Sequence, residues 1–109
     1  MALPPEHRIA NNQSVFRRVN ESIERGRWPG EEDAPAVFCC ECAQFGCGEL
    51  IELSVREYER VRANGRRFIV ALGHNLPEVE DVVEEHEGYL VVEKRGAAAR
   101  RAEAADPRS

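Results

Sequence analysis

Phe38-Cys39-Cys40-Glu41-Cys42-Ala43-Gln44-Phe45-Gly46-Cys47-Gly48 holds all four cysteines of the chain within nine positions. Side chains alternate in direction along an extended segment, so Cys40 and Cys42 share one side while Cys39 points to the other. Gly46 lets the chain double back and bring Cys47 to the same point in space. Three thiolates that converge in this way suit a small, soft, tetrahedral cation, above all Zn2+. A chain of 109 residues and 12.3 kDa has room for one modest core, and a metal staple would strengthen it.

Compartment and charge narrow the options. Met1 to His7 has neither a basic nor an apolar signal region, and no apolar run approaches the ~20 residues that span a bilayer. The expected location is the cytoplasm, where a cysteine cluster is more often a metal or redox site than a disulfide. The tail from Arg95 carries four arginines against Glu103 and Asp106, a balance of +2, which leaves residues 1–94 at −7 within a net −5. So acidic a body argues against nucleic acid as a partner.

The pattern along the chain predicts a small single α+β domain with a zinc-knuckle hairpin, about three helices and about four short strands. Residues 1–10 read as a flexible leader, 11–94 as the domain and 95–109 as a disordered tail. A helix from Asn11 or Asn12 places Val15, Phe16, Val19 and Ile23 on one face, expected either to pack on the body or to serve as a docking or dimerisation helix. Ala36–Phe38 and Glu49–Leu53 enter and leave the knuckle as strands. Ser54-Val55-Arg56-Glu57 is a capping box that opens a second helix, with Val55, Tyr58 and Val61 inward and a left-handed stop at Asn64-Gly65. Arg67–Leu72 is a nearly continuous apolar strand. Pro77 opens an expected third helix, with Val79, Val82, Val83 and His86 on one face. Tyr89–Glu93 is the last strand, placed either parallel to and beside the Phe68 strand or apart from it.

A zinc site built on Cys40, Cys42 and Cys47 needs a fourth ligand. His74 lies in a Gly-containing turn after a strand and is either that ligand or an exposed loop histidine. His86 belongs to an apolar stripe and reads as a half-buried histidine, His7 lies in the leader, and Cys39 reads as a small buried hydrophobe. If the fourth position stays open, Glu41 or Glu49 is a candidate base beside a metal-bound water. The H-x-E/P-C-x-x-C and H-E-x-x-H signatures are absent, as are the P-loop, the Rossmann glycines and the G-x-S-x-G elbow. An iron–sulfur cluster would require adjacent Cys39 and Cys40 to bind together against their alternation. Arg56, Arg60, Arg62, Arg66 and Arg67 read as a solvated helix surface or a patch for an acidic partner.

The knuckle, Glu57-Tyr58-Glu59-Arg60-Val61-Arg62, Arg67-Phe68, Gly73-His74 and Val91-Val92-Glu93-Lys94 together resemble a family of short bacterial proteins of uncharacterised activity. Its pattern runs F-x-C-E-C-x4-C, E-Y-E-x-V-R, R-F, a G-H turn and V-V-E-K. With Phe16 to Glu21 the resemblance covers most of residues 14–94. It implies Cys40, Cys42, Cys47 and His74 as the ligand set and Cys39 as an addition of this chain, and it implies no activity. Three functional readings follow: a non-enzymatic, zinc-stabilised regulatory or adaptor domain that binds another protein; a redox- or metal-responsive sensor using the zinc-bound thiolates; and a nucleic-acid-binding regulator.

Overall fold

The computed structural model describes residues 6–26, 30–42, 44 and 47–108, and the side chains of all of these except 6–12 and 14. Its elements run α1 (Glu6–Arg25), β1 (Pro35–Cys39), β2 (Leu50–Ser54), α2 (Val55–Arg62), β3 (Arg67–Ala71), β4 (Glu80–His86), β5 (Tyr89–Lys94) and α3 (Gly96–Ala104). The strands are antiparallel throughout: a β1–β2 ribbon and a three-stranded sheet of order β3-β5-β4. This is a single small α+β domain.

One core joins the two sheets. β1 and β2 turn Ala36, Phe38, Ile51 and Leu53 inward, as strand alternation requires. The Phe38 ring stacks on Tyr58 of α2 with centroids 4.5 Å apart. β3 and β5 sit in the middle of the fold, and Phe68 to Val70 and Tyr89 to Val92 are all buried. α2 begins as its residues dictate: the Ser54 hydroxyl accepts from the Glu57 N–H at 3.1 Å, and the Glu57 carboxylate accepts from the Ser54 N–H. It ends differently from expectation. Ala63 caps it in right-handed geometry, and Asn64 and Gly65 are not left-handed. A Cβ at Gly65 would lie 2.8 Å from the Asp106 Oδ2, so that carboxylate would have to shift to admit one.

The structure corrects five further expectations. Residues 80–86 form strand β4, not a third helix. Val82 and Val83 are β-branched, Gly88 turns the chain at φ +89°, and β5 has a second edge to fill. A bulge between Val82 and Glu84 breaks the alternation, so valine spacing that imitates a helix fits a bent edge strand. With β4 between them in sequence, β3 and β5 pair directly and antiparallel, so both expected arrangements, parallel neighbours and separated strands, are excluded.

The tail is not disordered over 96–104. It forms α3, which buries Ala99 and Ala102 and packs on α1 and β5. Alanine and arginine favour helix, and two methyl groups three residues apart suffice for close packing. Helix α1 starts at Glu6, so residues 6–10 of the expected leader are helical; residues 1–5 lie outside the described residues.

The largest correction concerns the orientation of α1. Among its described side chains the buried ones are Gln13, Arg17, Asn20 and Glu21, whereas Val15 and Val19 are 56% and 41% exposed. The expected apolar face is turned mostly outward, with Phe16 and Ile23 half-buried at its margin.

Candidate metal centre

The segment after β1 stays extended and is gripped on both sides. The Cys40 N–H donates to the Glu49 carbonyl at 3.0 Å, which closes the neck of the hairpin. The Glu41 N–H donates to the Ile69 carbonyl at 2.8 Å, which lays the segment along β3. Cys40 and Cys42 therefore face one way and Glu41 the other. β3 ends in a turn in which Gly73 takes φ +80° and the His74 N–H returns to the Ala71 carbonyl at 3.0 Å. This turn carries the His74 ring to the cysteines. Ala43, Phe45 and Gly46, and with them the expected role of Gly46, lie outside the described residues.

The ligand atoms of Cys40, Cys42, Cys47 and His74 all lie within 4.8 Å of one another, a group able to hold a metal ion. His74 Nδ1 is 3.7 Å from the Cys40 Sγ and 3.6 Å from the Cys47 Sγ. Donors placed ~2.3 Å (sulfur) and ~2.0 Å (nitrogen) from a tetrahedral zinc would stand about 3.6 Å apart, so the spacing fits that ion. Nδ1 is the ring nitrogen that faces the sulfurs; an ion bound there would leave the proton on Nε2.

Backbone donors surround the sulfurs. The Ala71 N–H reaches the Cys40 Sγ at 3.1 Å, and the N–H groups of Gln44 and Glu49 bond Cys42 and Cys47. Such bonds orient thiolates and spread their charge, the usual task of groups behind metal ligands. Hydrogen bonding from Cys40 draws the Cys42 thiol down to about 5. That same bond, followed by burial, drives Cys40 far up, and burial raises Cys47. Three adjacent thiols cannot all ionise beside one another unless a cation offsets their repulsion.

On the opposite side of the segment, Glu41 is fully buried and bonded on all sides. Its carboxylate accepts from Asn20 Nδ2 at 2.9 Å, the Tyr58 hydroxyl at 2.7 Å and the Ile69 N–H at 3.0 Å. Burial pushes its pKa up, against the Arg17 charge and these donors. Glu41 faces away from the thiols, so it is not placed as a base beside a bound ion; Glu49 is exposed next to Cys47. Asn20 also brackets the free edge of β1, accepting from the Cys39 N–H at 2.7 Å and donating to its carbonyl at 2.8 Å. Arg17 lies 3.8 Å above the Phe68 ring centroid and donates to the carbonyls of Gly65 and Arg67 at 2.8 and 2.9 Å. Nothing in the spacing of α1 announces these roles. The alternation around Glu41 does place a carboxylate inward, and a buried carboxylate demands donors.

The other candidates fall elsewhere. Cys39 is half-buried on the outer side of β1, apart from the cluster, and its own thiol is raised by burial. His86 lies in β4, stacked on Tyr89 and 2.7 Å from Glu84, rather than on a helix. The side chain of His7 lies outside the described residues. The arginines are engaged: Arg56 with Asp33, Arg60 with Glu84, Arg66 with Glu103, Arg67 with Glu93 and the buried Arg62 with Glu21 and Asp106. No helix among the described residues is long and apolar enough to cross a membrane.

Fold and site together define a small α+β domain with a Cys3His cluster that can hold a metal ion. The chain matches no family model, no curated protein and no solved structure.

Proposed function

We propose that this chain is a non-enzymatic, zinc-stabilised regulatory or adaptor domain of the cytoplasm that acts through protein–protein contact. The observation that carries this reading is the donor set: three sulfurs and one imidazole nitrogen within 4.8 Å of one another, the nitrogen 3.7 and 3.6 Å from two of the sulfurs. Thiolate and imidazole donors favour zinc over magnesium or calcium, which take oxygen. Four protein ligands fill the coordination sphere and leave no place for a reactive water, as in structural rather than catalytic zinc sites. Pairing of the α2 and β3 arginines with carboxylates leaves little unengaged basic surface there for nucleic acid. The resemblance to short bacterial proteins with the same knuckle supports grouping the chain with them.

Elemental analysis of protein purified without added metal tests the proposal. One zinc per chain is expected, reduced at least tenfold in affinity by His74→Ala. A brown protein containing iron, or a chain free of metal, would refute it. Cys47 and His74 are only half-buried, which favours a second reading in which oxidation of the thiolates releases the ion. Zinc release by stoichiometric peroxide, reversed by dithiothreitol, would support that reading; retention of zinc would exclude it.

A further inference from the structure

Helix α1 spends its polar residues on the protein body and leaves its valines outside. Val15 and Val19, one turn apart, are exposed although a few residues away Arg17 and Asn20 are fully buried. The same imbalance occurs on the neighbouring ribbon, where Val37 is 49% and Leu50 65% exposed.

Helical and strand periodicity put these two surfaces on the same side of the molecule. Asn20 brackets the β1 edge at Cys39, so α1 runs beside β1. Around the helix in one direction from Asn20 comes Glu21, which bonds Arg62 of α2 at 2.7 Å. This is the inner side, where Phe38 stacks on Tyr58. In the other direction, at ~100° per residue, come Phe16 and Ile23, then Val19 and Val15. That flank lies on the outer side of β1, towards which Val37, Cys39 and Leu50 point by strand alternation.

We propose that this face of α1 and the β1–β2 ribbon is a two-fold interface with a second copy of the chain. Its charges choose the occupant. The helix half carries exposed Arg18 beside the valines, and the ribbon half carries exposed Glu52, the cross-strand neighbour of Val37. A two-fold rotation sets the helix half of one protomer against the ribbon half of its partner, so each arginine meets a glutamate and each pair of valines meets Val37 and Leu50. A partner of uniform charge would satisfy one half and oppose the other. A stable interface needs about 800 Å² from each copy, a small share of the 6307 Å² surface of the chain. The interface stands on surface residues and is independent of the metal, so it adds to the proposed adaptor role without resting on it.

Sedimentation equilibrium on the full zinc-loaded chain provides the test. A species of twice the chain mass is expected at micromolar concentration, and Val19→Glu and Leu50→Glu should each yield monomers with unchanged circular dichroism. Arg18→Glu and Glu52→Arg should separately weaken self-association at least about tenfold. Mixed in equal amounts, these two variants should restore it, since both cross-contacts then pair opposite charges. A monomeric wild-type chain, a dimer indifferent to all four changes, or a mixture no tighter than its components would overturn the proposal. So would an association in which a different protein takes this face. Zinc content measured on the same samples separates the two proposals: a monomer with full zinc removes only the dimer, and a zinc-free dimer removes only the metal reading.

Discussion

Two junctions in this molecule join segments far apart in sequence, and they differ in what crosses them. At one, Cys40, Cys42 and Cys47 of the hairpin meet His74 beyond β3 through four donor atoms aimed at a single point. At the other, Gln13, Arg17, Asn20 and Glu21 of α1 meet β1, Glu41, the Gly65 turn, α2 and the C-terminal segment through dispersed hydrogen bonds. The segment 40–42 belongs to both, with its thiols on one side and its carboxylate on the other. With an ion bound, the first junction would concentrate its strength at one point and fail all at once when that ion leaves. The second spreads it over many polar contacts, and each loss strands a buried partner. Buried polar contacts add little net stability compared with apolar packing but are costly to break singly.

The largest effect should come from removing the ion. Structural zinc contributes about 10–16 kcal/mol of apparent binding energy, as much as the ~5–15 kcal/mol that holds a typical domain together. A strong chelator, or Cys40→Ser, should abolish the cooperative thermal transition seen by circular dichroism. An unchanged melt in chelator would mean that packing alone holds the hairpin to β3.

Next comes Glu41→Ala, which deprives Asn20, Tyr58 and the Ile69 N–H of their common acceptor and Arg17 of a nearby charge. A loss of about 3–5 kcal/mol in urea denaturation is expected, with zinc content retained. Loss of zinc at equal stability would show that the two junctions are one. Asn20→Ala should cost less, about 1–3 kcal/mol. Faster hydrogen exchange at the Cys39 amide would place that loss at the edge of β1.

The smallest effects are the pH-dependent ones of the second junction, which add to any acid release of a thiolate-bound ion at the first. Burial opposes ionisation of Glu21 and Asp106, but hydrogen bonds from Arg108 and Arg62 to Glu21, and from Arg62 to Asp106, prevail and hold both below their ordinary values. Their contribution is present above the ordinary values of 4.5 and 3.8 and is lost as pH falls through the lowered ones. Stability should therefore drop in acid below about pH 4.5. Glu24 behaves oppositely. Burial, then its bond to Glu59, raises it to about 7, so its contribution is full below its ordinary 4.5 and fades as pH rises through 7. Glu24→Gln should stabilise by less than about 1 kcal/mol at pH 8 and leave pH 4 unchanged. A variant equally affected at both values would remove Glu24 as the titrating group.

Legibility from sequence followed the range of the forces involved. The capping box at Ser54 and Glu57 and the apolar runs of β3 and β5 could be read because their causes lie within a few residues. His74 was visible as a ligand candidate through its Gly-containing turn, the need for a fourth donor and the resemblance to the short bacterial proteins. β4 was hidden because Val79, Val82, Val83 and His86 satisfy helical spacing, and only pairing with β5 makes a bulged strand the better solution. α3 was hidden because two alanine methyls carry little apolar signal until α1 and β5 lie close enough to touch them.

By itself, the amino-acid order determined which atoms can gather around an ion, because alternation along one short extended stretch sorts Cys40 and Cys42 from Cys39 and Glu41. Tertiary structure alone decided which face of α1 turns inward. A valine gains from any apolar cover, wherever it is found, whereas Arg17 and Asn20 can be buried only where fixed carbonyls, an aromatic face and a carboxylate already stand in place to receive them.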